Sequence, residues 1–258
     1  MATFLLVHGA MHGGWCWRKV RDALTAHGHR VFTPSLTGQG ERSSQLSPSV
    51  GVSTHIDDVT DLLWYEDLQD VHLVLHSYSG ILAGPVAERA RGRLSSVVWL
   101  GGFVVSPGEC LLDVEPPEVA RRYREQVAAA GDGWYLPADP AFLSQWGVRD
   151  DMVRAWAGPR LTAFPFRCQT EAVRFDPAPL EALPRFYVRH TEPPLPSLDA
   201  SFATAVAQGC AVRTLAAGHD MMLEEPDATA RILLEMTGLA DSSPWPKEST
   251  GRRAGPRK

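Results

Sequence analysis

Short apolar runs and amphipathic stretches alternate along most of this chain, and their order predicts the architecture. Thr3-Phe-Leu-Leu-Val7 is a continuous run of strand formers that stops at His8-Gly9, the pattern of a strand buried on both faces of a sheet. Trp17 to His27 then carries helical spacing, with Trp17, Val20 and Leu24 on one face and Gly28 as the stop signal. Arg30 to Thr33, before Pro34, reads as a second strand, and Val71 to His76 as a third. Between them the Gly-, Ser- and Pro-dense stretch 36–53 is a loop, and Thr54 is placed to cap a helix whose apolar face is Ile56, Val59, Leu62 and Leu63. Ile81 to Ala90 continues as a helix in which Pro85 is an irregularity, and Ser96 to Leu100 is a fourth strand.

The rhythm breaks after Val105. Up to Pro184 the chain carries prolines, Gly131-Asp-Gly133 and the aromatics Trp134, Trp146, Trp156, Phe164 and Phe166 without a strand period, so a helical insertion is expected. Arg185 to Arg189 and Ala211 to Leu215 restore the strands around a helix from Ser201 to Gln208. A last helix runs from Pro226 to Met236, with its proline in the first turn. Such alternation specifies an α/β fold with a doubly wound, mainly parallel sheet. The predicted organisation is a core of residues 1–104 and 185–240, a helical cap over 105–184, and a disordered tail over 241–258 with too few apolar residues to fold.

Composition narrows the function classes. With 258 residues, 44% hydrophobic, the chain suits one α/β domain carrying an insertion. A formal charge of −5 offers no attraction to nucleic acid or to an anionic membrane. The four cysteines, Cys16, Cys110, Cys168 and Cys210, form neither a CxxC nor a dense disulfide pattern and read as free thiols. The chain opens without a secretory leader pattern and contains no run of about 18 apolar residues, so the cytoplasm is the expected location.

Candidate chemistry centres on Val71-His-Leu-Val-Leu-His-Ser-Tyr-Ser-Gly80. A serine at a sharp strand-to-helix turn has its Oγ pushed out of the sheet edge, beside the backbone N–H groups that open the helix and can stabilise an oxyanion. Ser77 is therefore the candidate nucleophile, and the small Ser79 and Gly80 allow the close approach of helix and strand; Leu75 stands where a glycine is expected. A serine needs a base, and His219, in the loop after the last strand, can face the same crevice because loops beyond the carboxyl ends of parallel strands converge. The glycine-rich turn His8-Gly-Ala-Met-His-Gly-Gly-Trp15 offers the amide of Ala10 as an oxyanion donor beside that of Tyr78. A phosphate cradle is the weaker reading of this turn, since no GxGxxG or GKS/GKT pattern is present, and Gly38-Gln-Gly40 reads as a surface turn. His76, His8 and His12 are expected to pack or to pin backbone, His55 and His72 to be peripheral, and no histidine pair stands at metal-ligand spacing.

His8-Gly-Ala-Met-His-Gly-Gly-Trp-Cys-Trp17, Leu36-Thr-Gly-Gln-Gly-Glu-Arg42, Thr54-His-Ile-Asp-Asp-Val59, His76-Ser-Tyr-Ser-Gly80 and Gly218-His-Asp220 together resemble the α/β-hydrolase superfamily. Within it they are similar to the branch of small esterases related to plant methylesterases and hydroxynitrile lyases. The resemblance implies an α/β-hydrolase fold, Ser77 as nucleophile, His219 as base, Ala10 and Tyr78 as oxyanion donors, and residues 105–184 as a cap over the site.

The third triad member departs from that pattern. Related proteins carry an aspartate after the strand following the nucleophile, where this chain has Gly101, or after the next strand beyond the cap, where Pro193 stands. Glu192 is the one carboxylate directly after that strand and is the candidate acid; Asp199 and Asp220 are poorer placed. Leu75 and Gly101, on adjacent strands, are read as compensating in volume. Losing the acid costs on the order of 10⁴ in kcat in a serine-protease triad.

The reading that follows is a serine hydrolase acting on an ester or thioester of a hydrophobic small molecule, in natural-product metabolism, with Trp134, Trp146 and Met11 as pocket walls. It calls for no cofactor, no metal, no nucleic acid and no membrane partner, and leaves a homodimer open. Two rivals stand beside it: a lyase, cyclase or isomerase using His219 as general base, and a ligand-binding protein on a hydrolase scaffold. Cyanohydrin cleavage is disfavoured, because the lyases of this branch carry a lysine directly after the histidine where this chain has Asp220.

Overall fold

The computed structural model describes residues 1–239; the tail expected over 241–258 lies outside the described residues. Six strands, β1 (Thr3–Val7), β2 (Arg30–Phe32), β3 (Val71–His76), β4 (Leu94–Leu100), β7 (Arg185–His190) and β8 (Ala211–Leu215), form one sheet in the order β2-β1-β3-β4-β7-β8, every neighbouring pair parallel. Phe4 to Val7, Leu73 to Leu75 and Val97 to Leu100 are essentially inaccessible to solvent, so the central strands carry continuous apolar runs rather than alternation. The edge strand β8 is largely exposed and carries the polar Arg213 and Thr214.

Helices α1 (Arg18–Ala26), α2 (Val52–Tyr65) and α3 (Ala83–Arg89) connect the first four strands, and α1 buries Val20 and Leu24 as its spacing predicts. The N-terminus of α2 differs from expectation: the cap is Gly51, and Thr54 sits inside the first turn, where its Oγ1 accepts from the Gly51 amide at 3.3 Å. The Arg167 and Glu171 side chains lie over this glycine, where a Cβ would displace their ends. Pro85 falls in the first turn of α3, where a missing N–H breaks no helical bond.

Between β4 and β7 lie α4 (Leu111–Val114), α5 (Pro117–Ala130), β5 (Tyr135–Leu136), α6 (Ala141–Gln145), α7 (Asp151–Ala157), β6 (Phe164–Pro165), α8 (Arg167–Thr170) and α9 (Ala178–Glu181). This stretch is mostly helical, but β5 and β6 pair antiparallel, a short ribbon that its sequence does not announce. Its last part rejoins the core before 184: α9 packs on α3, and Phe175 fills the space left by Gly84. The core closes with α10 (Asp199–Ala207), α11 (Met221–Glu224) and α12 (Pro226–Met236), the last packed against α1.

The strand order places the site. The chain leaves β1 for the edge strand β2 and returns on the other side of β1 as β3, so the connections after β1 and β3 diverge and leave a crevice at their carboxyl ends. The turn after β1 and the serine after β3 therefore face each other; a Cβ on Gly9 would lie 2.7 Å from Cβ of Ser77.

Candidate active site

Ser77 ends β3 in the left-handed region, φ 53°, and begins a tight 3₁₀ turn over Ser77–Leu82. A serine there carries steric strain of about 1–2 kcal/mol, which the surroundings offset. The Ser77 carbonyl accepts from the Phe103 amide at 3.0 Å, and Ser79 Oγ donates to the carbonyl of Val7 at 3.0 Å. Gly80 is needed because any Cβ would sit 2.3 Å from the Phe103 carbonyl oxygen.

Ser77 and His219, separated by 142 positions, come together with Nε2 of His219 2.9 Å from Ser77 Oγ. The loop after β8 reaches back over two intervening strands and is held there by main-chain contacts with the insertion. The Asp220 amide donates to the Trp146 carbonyl at 3.2 Å, Gly218 lies so close to Gly147 that a Cβ on it would meet the Gly147 Cα at 2.7 Å, and Nε2 of His76 donates to the His219 carbonyl at 3.0 Å. His76, expected to have a packing role, lies with its ring centroid 4.7 Å from that of His219 and positions the loop. Burial, reinforced by the neighbouring His76, His190 and His12, holds the pKa of His219 well below the usual histidine value, so the ring is a neutral acceptor at neutral pH.

Nδ1 of His219 is buried and has no hydrogen-bond partner. Glu192 does not supply one: its side chain is 56% exposed and its carboxylate lies 3.6 Å from Arg149. Strand β7 ends at His190, and the chain then turns so that the Glu192 amide donates to the Ala217 carbonyl, which carries the side chain outward. Asp220 is fully buried, but its Oδ2 pairs with Nε2 of His12 at 3.1 Å. What faces Nδ1 is Gly101, in the left-handed region at φ 54°, together with His190; a Cβ on Gly101 would lie 3.2 Å from Nδ1 of His190 and 3.3 Å from Nδ1 of His219. The three atoms nearest to that Cβ belong to the two histidines, so the space beside Gly101 is bounded first by His190 and His219.

The opposite wall is the turn after β1. Nδ1 of His8 donates to the Gly9 carbonyl at 2.7 Å while its Nε2 accepts from the Leu36 amide at 3.0 Å. Because a trans peptide points its N–H opposite to its C=O, fixing the Gly9 carbonyl fixes the Ala10 N–H. His12 binds the Ala10 carbonyl through Nδ1 at 2.8 Å and ties this turn to the His219 loop through Asp220. Burial pushes the pKa of His12 down, but the charge and hydrogen bond of Asp220 outweigh it and leave the value raised.

Two sequence expectations are corrected here. His55 is not peripheral: fully buried, its Nε2 donates to the Thr37 carbonyl at 2.9 Å and its Nδ1 accepts from the Tyr78 hydroxyl at 2.9 Å, fixing the residue beside the nucleophile. Gly38-Gln-Gly40 is not a surface turn either; Gln39 is buried and donates to the Ala163 carbonyl at 2.7 Å, and Gly13 packs so closely on Gly40 that a Cβ would meet its Cα at 2.7 Å.

A cavity opens above Ser77, with His219, Ala10, Met11 and Tyr78 at its floor. Phe103, Leu111, Leu136, Phe142 and Trp146 form apolar walls. Of the aromatic residues expected to line a pocket, Trp146 does so, as does Met11; Trp134 does not, lying edge-on to Tyr135 with ring centroids 4.9 Å apart. The wall also holds polar groups that no sequence pattern marks, among them Glu115 and Gln169. Among the described residues one group offers three atoms at metal-binding separation, His76, His219 and Asp220; Nε2 of each histidine and Oδ2 of Asp220 are engaged in the hydrogen bonds above, while Nδ1 of each histidine and Oδ1 of Asp220 have no partner.

So many buried neutral histidines have a thermodynamic consequence. Burial lowers the pKa of His8 to about 3 and of His76 and His190 to about 4. Above pH 6.5 neither folded nor unfolded chain protonates these rings; below it the unfolded chain takes up protons that the folded chain refuses, so stability falls as pH falls, at about 1.4 kcal/mol per pH unit per group. Glu115, with its pKa raised by burial to about 7, and His12 act in the opposite sense but are outnumbered. Calorimetry should therefore show Tm dropping steeply from pH 7 to pH 5; an unchanged Tm over that range would contradict this balance.

Comparisons with known proteins agree with the geometry. The family model described as "Alpha/beta hydrolase family" matches residues 4–232. A carbendazim hydrolyzing esterase of Nocardioides sp. (strain SG-4G) is 44% identical over 127 residues, 48% of this chain and 52% of its own length. Putative methylesterase 11, chloroplastic, of Arabidopsis thaliana is 23% identical over 250 residues, covering 92% of this chain and 64% of its own. The chain thus spans about half to two-thirds of the length of these relatives. Among solved structures, an extracellular alpha/beta-hydrolase from a Paenibacillus species superposes with a TM-score of 0.82 at 20% identity over 92% of this chain and 99% of that one. The methylesterase MES16 from Arabidopsis gives 0.75 at 21% identity, over 92% and 99%. With the strand order, the serine turn and the histidine loop on the same scaffold, the chain belongs to the alpha/beta hydrolase family.

Proposed function

We propose that this protein is a serine esterase acting on an ester or thioester of a largely hydrophobic small molecule, with residues between β4 and β7 serving as a cap over the site. The observation that carries the reading is the 2.9 Å contact between Nε2 of His219 and Oγ of Ser77 at the floor of a cavity. Esterase names among the relatives support the reaction class.

Ser77 Oγ attacks the carbonyl carbon as its proton passes to Nε2 of His219, and the oxyanion is held by the N–H groups of Ala10 and Tyr78. Collapse expels the alcohol or thiol, which takes the proton from His219. Water, deprotonated by the same nitrogen, then attacks the acyl-serine and releases the acid. Met11 and Trp146 bind the apolar body of the substrate. Among the described residues no carboxylate hydrogen-bonds Nδ1 of His219, and the buried Asp220 reaches the His76 and His219 rings only through its charge, so the pair works as a dyad and turnover is slow compared with that of a full triad.

The unpaired Nδ1 also favours a second reading, in which His219 is a simple general base and Ser77 only a hydrogen-bond donor. A fluorophosphonate probe separates the two. Stoichiometric labelling of Ser77, abolished in Ser77→Ala, is expected for the dyad; a protein that stays unlabelled while turning over substrate would reject it.

A further inference from the structure

Glu115 stands apart from the chemistry described so far. It ends the segment after α4, lines the cavity above Ser77, and is 7% exposed. Its Oε2 has no hydrogen-bond partner, and neither does Oε1 of Gln169, a residue 4% exposed on the wall of the same cavity. The groups that act on the carboxyl are few. The Ser197 hydroxyl hydrogen-bonds it, Arg122 and Glu118 act through their charges with opposite sign, and the Tyr123 hydroxyl lies within its field. Arg122 is exposed and hydrogen-bonds Tyr123, so the carboxyl lacks a buried cation of its own.

Two buried acceptors left unpaired on the wall of this cavity each carry the desolvation cost of a hydrogen bond that is not made. A packing role does not require them; leucine or methionine would fill the same volume without that cost. The cost is recovered if the occupant of the cavity donates hydrogen bonds to them. Carboxylate and amide oxygens both accept, and a carboxylate accepts most strongly from a charged N–H.

We propose that Glu115, assisted by Gln169, is a specificity-determining pair that selects esters whose apolar body carries a basic or strongly N–H-donating nitrogen, such as an amine, an amidine or an aminoazole. The inference rests on the esterase reading above and names its substrate class. The nitrogen docks on the cap side of the cavity while the ester carbonyl lies against Ser77. Burial lifts the Glu115 pKa to about 7, so the free carboxyl is partly protonated at neutral pH and becomes the stronger acceptor as pH rises.

The test uses two p-nitrophenyl esters of one aromatic skeleton, one bearing an aminoazole N–H and the other its carbon isostere. The ratio of their kcat/KM values in the full-length protein should favour the N–H ester by about tenfold or more, and the preference should reside in KM. Glu115→Gln should cut that ratio by about tenfold while Gln169→Glu retains it, and in the wild type the ratio should climb between pH 6 and pH 8. The wild-type pH series stands even if a variant fails to fold. Equal kcat/KM for the two esters, or a preference for the isostere, overturns the assignment while leaving the esterase reading intact. Failure to hydrolyse either ester, with no labelling of Ser77, overturns the esterase reading and with it this inference.

Discussion

Replacing Ser77 by alanine lowers kcat/KM toward an ester by about 10²-fold, His219→Ala lowers it by a similar factor, and the double variant is no worse than either. The size of the effect follows from the missing acid. In a full serine triad, removing the nucleophile costs roughly 10⁶ in kcat and removing the acid alone roughly 10⁴, with strong non-additivity. A site that already lacks the acid retains only the difference, while the N–H groups of Ala10 and Tyr78 continue to stabilise the oxyanion in every variant. Steady-state kinetics on the three variants checks this. A fall near 10⁶ would show that an acid works on His219 after all; no fall would remove both residues from the reaction.

Gly101→Asp should raise kcat, by about tenfold to 10²-fold. A Cβ at this position would lie 3.3 Å from Nδ1 of His219, closer than an ordinary contact, so the two histidine rings must shift by a few tenths of an ångström to admit a carboxylate beside Nδ1. Aspartate tolerates the left-handed backbone at φ 54° better than most residues, at a cost of about 1 kcal/mol. The pH profile gives an independent readout. His219 is depressed well below its ordinary value by burial and by His76, His190 and His12, and a base works only when unprotonated, so wild-type kcat/KM should hold as pH falls below 6.5. A carboxylate at Nδ1 stabilises the cation and raises that pKa, so in the variant the acidic limb moves to higher pH. An increase in kcat without movement of the limb would mean that the new side chain acts on something other than His219. The approach of 3.2 Å to Nδ1 of His190 brings that ring into the same interaction, and Gly101→Asp combined with His190→Ala separates the two contributions.

Much of this architecture was legible in the hydrophobic pattern. Strands β1, β3 and β8 have the bounds that their apolar or β-branched runs indicate, and α12 starts at Pro226 as its first-turn proline suggests. The pairing of Ser77 with His219 was legible too, because residues beyond the carboxyl ends of parallel strands share a crevice. The failures have physical causes. Glu192 was the nearest carboxylate in sequence, but position along a strand says nothing about the turn that follows, and the chain swings the side chain out toward Arg149. His190, the last residue of β7, obeys the same strand-end rule that found Ser77 and is the residue facing His219; a single-sequence reading that searches for an acid passes over it. His55 and Gln39 act across long loops that close only in three dimensions, and Glu115 lies in the link between α4 and α5, where no periodicity marks it. Trp134 shows the converse error, since an aromatic residue in an insertion reaches the cavity only if its backbone turns that way.

The covalent intermediate decides whether a serine–histidine dyad without an acid performs ester hydrolysis here. Mixing the protein with excess p-nitrophenyl acetate, quenching in acid within milliseconds to seconds and measuring intact and peptide masses should reveal one acetyl group on Ser77, formed in a burst of about one equivalent of p-nitrophenol and absent from Ser77→Ala. Turnover of the ester at the wild-type rate by Ser77→Ala, with no acylated peptide in either protein, would contradict it.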